Sequence, residues 1–214
     1  MVAASFADTF SNSLHIITQS FLIPVMLVLT IFFIYALINL GILMAQYYKR
    51  RQKQFDFKNF INQLLSVAGN GNSDEIVHII ESGQIPRSHK EVLKTLVTSK
   101  NVSKEFRESL AIKMVEDEGI NSAKKLEKTD IVAKIAPAIG LMGTLIPLGP
   151  GLTALGAGDI QSLASHLTIA FDAAVLGMAS AAIAFITSKV RRRWYEEDIS
   201  NLETMVDAVL EVMN

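Results

Sequence analysis

The chain has 214 residues, of which 50% are hydrophobic and only 19% are charged, and it contains no cysteine. This composition argues against a soluble enzyme, whose charged fraction is about 25%, and the high apolar content excludes a disordered chain. The lack of cysteine excludes a disulfide scaffold, and the formal net charge of −1 gives no reason to expect nucleic acid as a partner.

The basic residues fall in two stretches of the chain. Sixteen of the 20 lie between Lys49 and Lys134, and the remaining four lie at 189 and 191–193. Lysine and arginine next to membrane-spanning helices are retained on the cytoplasmic side. The stretches without bases are therefore predicted to lie inside lipid or beyond it.

Residues 1–20 are predicted to form an external interfacial helix. Apolar residues recur there at spacings of four and three, as expected for one face of a helix lying on the membrane surface: Phe6, Phe10, Leu14, Ile17 and Phe21. The alternative is that this segment simply extends the first membrane crossing.

Residues 21–45 are predicted to be the first transmembrane helix. Their length exceeds the ~20 residues that a helix needs to cross the bilayer core, and Tyr35 is the only ionisable residue among them. A cleaved signal peptide is not expected, because no basic segment precedes this stretch and its apolar part is too long. Membrane-anchoring bases follow at Lys49, Arg50 and Arg51, which predicts a crossing from outside to inside.

Short helices are predicted in the next part of the chain. Ser73 begins a helix that Gly83 can end, and Ser88 with Glu91 resembles a capping box for the following helix. Ser103 can cap a third helix in the same way.

The cytoplasmic domain is predicted to span 46–134 and to end in a long helix from about Lys104. Gly119 is a candidate point of disturbance in that helix. No alternating strand pattern is present, so the fold class is predicted to be all-α.

The second stretch without bases is long enough for two further crossings. Transmembrane helices are predicted at 135–155 and 163–188, joined by an external loop at 156–162. Pro147 and Pro150 are expected to kink or end the first of these helices. The anchoring bases Arg191, Arg192 and Arg193 mark the return to the cytoplasm, which predicts an outside N-terminus and an inside C-terminus.

Residues 189–214 are predicted to form a cytoplasmic C-terminal helix. Its apolar residues recur at spacings of three and four, and acidic residues occupy the other positions. We expect its apolar face to pack on the long helix that begins near Lys104.

Polar residues inside the crossings are the candidates for an ion pathway. Asp172 carries the only formal charge in the last two spans, and a carboxylate in lipid costs about 3 kcal/mol on insertion scales. Thr168, Asp172 and Ser180 fit one broad polar face of a helix, and Thr144 places a hydroxyl near the middle of the preceding span. The alternatives are that Thr144 bonds its own helix and that Asp172 is a structural or silent acid.

Small residues in the same two spans are predicted to pack helices closely. Ala136, Gly140 and Thr144 form one small-residue face, and a second ridge follows in the third span. The predicted packing residues are Ala136, Gly140, Gly143, Ala173, Gly177 and Ala181.

The string Ala136-Pro137-x-x-Gly140-Leu141-x-Gly143-Thr144, with the long charged helix before it and the basic exit after the third span, resembles the MotA/TolQ/ExbB proton channel family. The three-crossing order with a large loop after the first span resembles the ExbB/TolQ branch. The resemblance is strongest from about 126 to 193.

This resemblance implies an inner-membrane homopentamer around an ExbD/TolR-like single-span partner that supplies an essential aspartate. Proton flow would then drive mechanical work on an envelope process. Thr144 matches the threonine of the family that lines the lumen. The family's second hydroxyl corresponds to position 174, where this chain has Ala174, and Asp172 is an acid that the better-known members do not generally carry there.

The alternative function is a non-conducting membrane scaffold that oligomerises and docks other proteins. An enzyme is not expected, and neither is a cofactor or a metal, because the four histidines lack ligand spacing and no nucleotide-binding glycine motif is present. Protons are favoured over sodium, since the spans offer few oxygen ligands beyond the four named residues.

Overall fold

The structure, a computed structural model, describes residue 10 and residues 13–52, 56–67, 73–99 and 102–213. In this part of the chain all regular structure is helical, which confirms the all-α prediction. Residues 13–20 are helical, and six helices follow: α1 Leu22–Gln52, α2 Phe57–Ser66, α3 Ser73–Ser82, α4 Arg87–Thr98, α5 Lys104–Gly156 and α6 Ile160–Met213.

Three helical stretches are long and apolar enough to cross a membrane: Ser13–Gln52, Lys104–Gly156 and Ile160–Met213. The prediction of three transmembrane helices, with long helices extending beyond the lipid, is therefore confirmed. The chain divides into two compact units. We call Met1–Ala45 with Glu127–Lys189 the membrane unit, and Gln46–Leu126 with Val190–Asn214 the extramembrane unit.

The extramembrane unit has a core of large aliphatic side chains. Helices α2, α3 and α4 contribute buried residues such as Leu64, Ile80 and Leu96, and the α6 segment contributes Leu202 and Met205. Ala111 and Val115 of α5 belong to the same cluster. The predicted packing of the C-terminal helical segment on the long helix is thus confirmed.

Two of the predicted helix ends agree with the structure. α3 stops at Ser82, and a Cβ at Gly83 would lie only 2.7 Å from Cε2 of Phe60, so this position has no room for a side chain. The backbone N–H of Phe106 donates to Oγ of Ser103 at 3.3 Å, which confirms Ser103 as the cap of α5.

The predicted capping box at Ser88 is wrong. α4 begins at Arg87, Pro86 occupies the N-cap position, and no side chain caps this end. The helix starts two residues earlier than a cap at Ser88 would require, so Ser88 lies in its first turn.

None of the residues expected to disturb α5 ends the helix. The helix passes through Gly119, Pro137, Pro147 and Pro150 and ends only at Gly156. A short turn at 157–159 then leads into α6. Gly158 has φ +78°, a conformation that favours glycine, and Oδ1 of Asp159 caps α6 by accepting from the N–H of Ser162 at 3.0 Å.

Candidate functional site

The membrane unit is organised around a close approach of α5 and α6. A Cβ placed on Gly177 would lie 2.8 Å from Cα of Gly140 and 2.9 Å from the carbonyl oxygen of Ala136. Distances this short mean that the two backbones touch. The small-residue faces of α5 and α6 therefore pack directly on each other, as helices do in lipid when no large side chain separates them.

The remaining small residues extend this contact in both directions. A Cβ on Gly143 would lie 2.6 Å from Cβ of Ala173, and the neighbouring cluster includes Val25 and Leu29 of α1. Ala136 and Ala181 belong to a second buried cluster, further along the helices. These contacts fix the rotation of α5 and α6 about their own axes. They therefore determine which residues of the two helices face away from the contact.

The hydroxyl of Thr144 bonds its own helix. Its Oγ1 donates to the backbone carbonyl of Leu141 at 2.7 Å, and the residue is half-buried. This hydrogen bond agrees with the alternative interpretation, in which the Thr144 hydroxyl bonds its own helix. The oxygen still has lone pairs that can accept a bond from water or a partner.

Asp172 lies on a side of α6 that this chain leaves uncovered. It is exposed, and so are its neighbours Phe171, Val175 and Met178. Thr168, one turn earlier, is also exposed, and its Oγ1 donates to the carbonyl of Ala164 at 3.0 Å. Thr168 and Asp172 thus share one outward face that combines an acid, a hydroxyl and large apolar side chains.

Ser180 does not share that face, contrary to the expectation that all three residues do. It is completely buried, and its Oγ donates to the carbonyl of Leu176 at 2.6 Å. At 100° per residue, Ser180 lies about 20° from Ala173 on the helix, so it points with the packed ridge. Ala174, which occupies the position of the family's second hydroxyl, is half-buried.

The predicted anchoring bases differ in their surroundings. Lys49, Arg51, Arg192 and Arg193 are exposed. Arg50, in contrast, pairs with Asp198 and lies 5.4 Å from the ring centre of Trp194. Arg191 is buried and donates from Nε to Oε1 of Gln46 at 3.2 Å.

Arg50 also affects a half-buried acid of the extramembrane unit. Burial raises the pKa of Asp198, and Arg50 beside it offsets part of the rise. Arg50 and Arg191 therefore serve the packing of this unit in addition to any role at the membrane surface.

One polar cluster of the membrane unit was missed by the sequence analysis. The hydroxyls of Tyr35 and Thr129 are 3.3 Å apart, and Ser188 donates a hydrogen bond to Asp130. Only the adjacent pair Thr129-Asp130, just before the stretch without bases, could have indicated it. All the predicted ion-pathway residues lie after 135, in the stretch without bases.

No group of histidine, aspartate and glutamate residues suited to a metal ion occurs among the residues that the structure describes. The described polar groups of the spans include the hydroxyls of Thr144 and Thr168 and the carboxyl of Asp172. Such groups can exchange protons and hold water, which is the chemistry of a proton path through a helical membrane protein.

The fold and these polar groups define a multi-pass helical membrane protein with an acid inside its spanning helices. The chain belongs to the MotA/TolQ/ExbB proton channel family, whose model matches residues 82–204, more than half of its length. The predicted family resemblance is thereby confirmed. No curated protein matches the chain.

The matched region contains the α5–α6 contact, Thr144 and Asp172. The chain is accordingly a membrane subunit of the proton-channel type, and its family is not one of enzymes.

Proposed function

We propose that this chain forms a homopentamer in the cytoplasmic membrane and conducts protons together with an ExbD/TolR-like single-span partner. The complex converts proton-motive force into mechanical work on an envelope protein. The distribution of bases supports an outside N-terminus and a cytoplasmic C-terminus, because Lys49 to Arg51 and Arg191 to Arg193 flank the spans on one side only.

The exposure of Asp172 carries this proposal. An ionisable side chain on the uncovered surface of a spanning helix costs about 3 kcal/mol in lipid, so it needs water, another subunit or a partner helix. Its neighbours Phe171, Val175 and Met178 are large and apolar, which suits contact with other helices. The surface around Asp172 is therefore an interface that faces the lumen of an oligomer.

The mechanism requires a narrow, mostly dry lumen and an acid whose access alternates between the two sides. Asp172 takes a proton from water on the outer side and releases it when its surroundings open to the inner side. Thr168 lies about 40° away on the same helix, and its hydroxyl oxygen can accept a hydrogen bond from the water that delivers the proton. Thr144 lines the wall in the same manner, while the partner's aspartate moves past it.

The test is proton flux into liposomes that contain the chain and its single-span partner, measured with a pH-sensitive dye. We expect Asp172→Asn to abolish flux and Thr144→Ala to reduce it. Asp159→Asn is the matched control, because Asp159 lies in the connecting turn and asparagine can still cap α6. Unchanged flux in both Asp172→Asn and Thr144→Ala would remove these residues from the pathway.

Assembly and topology are tested separately. We expect imaging of the purified complex to count five copies of this chain, and accessibility labelling to find residues near 10 and near 213 on opposite sides of the membrane. An intact oligomer that carries no proton flux with its partner would favour the non-conducting scaffold instead.

A further inference from the structure

The threonine hydroxyls of the described helices follow a pattern with two exceptions. Ten threonines lie in the described helices. Eight of them donate to a backbone carbonyl three or four residues earlier in their own helix: Thr18, Thr30, Thr95, Thr98, Thr144, Thr153, Thr168 and Thr204. The exceptions are Thr129, which meets Tyr35, and Thr187, whose buried Oγ1 has no hydrogen-bond partner.

The two exceptions lie at the same level of the membrane unit. α5 and α6 are joined by a short turn and run antiparallel, with Gly140 against Gly177. Thr129 and Asp130 lie eleven and ten residues before Gly140 on α5. Thr187 and Ser188 lie ten and eleven residues after Gly177 on α6, so the two pairs are at the same level. The hydrogen bond from Ser188 to Asp130 confirms this register.

The oxygen-bearing side chains at this level are buried or half-buried. Thr129, Thr187 and Ser188 are 1%, 0% and 3% exposed, and Asp130 is half-buried. A buried hydroxyl without a partner costs about 1–3 kcal/mol. A water molecule removes that cost when it bonds the hydroxyl together with other polar groups at the same level.

The charged groups around this level are few. On α5, Glu127, Lys128 and Lys134 are exposed, and on α6 the Nζ of Lys189 lies over the ring of Phe185 at 5.8 Å from its centre. Tyr35 is the only ionisable residue of α1 within the membrane unit. Asp130 is thus the half-buried acid at this level, whereas Glu127 is exposed.

We propose that Asp130 is a second protonation site of the channel, at the inner end of the membrane unit, and that the hydroxyl of Thr187 holds the water that serves it. This inference rests on the proposed function. Water arriving from the lumen gives one proton to a carboxylate oxygen of Asp130, and water on the cytoplasmic side later removes it. Only O–H bonds form and break, and no other reactant is needed.

The dimensions of the helices show why a second site is useful. Ser188, the partner of Asp130, lies 16 residues after Asp172 on α6, which corresponds to about 24 Å along the helix. A proton released at Asp172 cannot reach the inner surface in one transfer over such a distance. An acid with bound water near the inner end receives it and passes it to the cytoplasm.

The first test is proton flux in the liposomes described above. We expect Asp130→Asn to lower flux about tenfold or more and Thr187→Val to lower it less. Glu127→Gln is the matched control, since Glu127 is an exposed acid one turn earlier on α5, and it should conduct like the wild type. Each variant must elute as the same oligomer.

Infrared spectroscopy separates protonation from a purely structural role. We expect a carboxylic-acid C=O band of the wild-type complex to appear on acidification, to vanish in Asp130→Asn and to shift in Thr187→Val. Thr187→Val allows the inference to be tested even if Asp130→Asn does not assemble, because it keeps the carboxyl of Asp130 and has nearly the same side-chain volume as the wild type.

Wild-type proton flux in Asp130→Asn overturns the inference. A carboxylic-acid band that is the same in the wild type, Asp130→Asn and Thr187→Val overturns it as well. If Asp172→Asn abolishes proton flux in the same experiment, the proposed function is supported even though the inference about Asp130 is overturned. A wild-type complex that carries no flux overturns both, and flux that requires sodium overturns the assignment of the site to protons.

Discussion

The two units of this molecule are built on different packing rules. The extramembrane unit buries large aliphatic side chains, and Leu64, Leu93, Leu96 and Leu202 are all fully enclosed. The membrane unit buries mainly small residues where its helices meet, while large ones such as Phe171 are left on its outer surface.

The difference reflects the two solvents. In water, burying large apolar side chains supplies the main driving force for packing. In lipid that force is absent between helices, so packing depends on close backbone approach and on hydrogen bonds between polar groups. The substitutions below test this contrast.

The largest effect is expected for Gly177→Leu. The new Cβ alone would lie 2.8 Å from Cα of Gly140, so α5 and α6 must separate, at a cost of about 3 kcal/mol or more. We expect little detergent-stable protein, measured by size-exclusion chromatography after heating. Gly41→Leu is the control, because a Cβ at Gly41 meets no atom within 4 Å. Equal heat resistance of Gly177→Leu and the wild type would show that the helices do not depend on this contact.

Leu96→Ala should weaken the extramembrane unit by about 2–5 kcal/mol, since it removes a fully buried side chain and leaves a cavity. The measurement is hydrogen exchange of the α4 amides in the intact protein, which should become faster. Leu65→Ala, at a position that is 42% exposed, should change exchange little. If the two variants behave alike, the large-residue core does not stabilise this unit.

A smaller effect is expected from acidification of the extramembrane unit. Burial lowers the pKa of His89 below its ordinary value of 6.5, so the unfolded chain binds a proton that the folded unit does not. Stability from this group is complete above pH 6.5 and falls as the pH drops toward the lowered pKa, by at most about 1.4 kcal/mol per pH unit.

Amide exchange of α4 at two pH values, corrected for intrinsic rates, measures this loss. We expect His89→Gln to reduce the pH dependence and His78→Gln, at an exposed position, to keep it. A His89→Gln protein with undiminished pH dependence would assign the effect to other groups.

The smallest effect is expected for Glu81→Gln, which breaks the ion pair with Lys94 on the surface of the extramembrane unit. Both side chains are exposed, and such pairs contribute little because water and salt screen them. We expect no resolvable change in the thermal unfolding midpoint at physiological salt. A clear decrease would mean that surface charge matters in this unit as well as its apolar core.

Particular residues show how far the sequence could be interpreted. Hydropathy and the Lys and Arg positions were enough to predict three spans, and the string around Thr144 was enough to indicate the family. Local patterns were less reliable. Pro86 rather than the predicted Ser88 occupies the N-cap position of α4, and the prolines of α5 do not end the helix. Nearby tertiary contacts can outweigh such local preferences.

The number of spanning helices and their helical character were determined by the sequence alone, because in lipid each segment must satisfy its own backbone hydrogen bonds. Which side of each helix is packed was decided only by the tertiary structure. Ser180 is buried while Asp172 is exposed, and Ser188 meets Asp130. Such relations depend on the rotation and register of helices from distant parts of the chain, which arise only when the helices pack together.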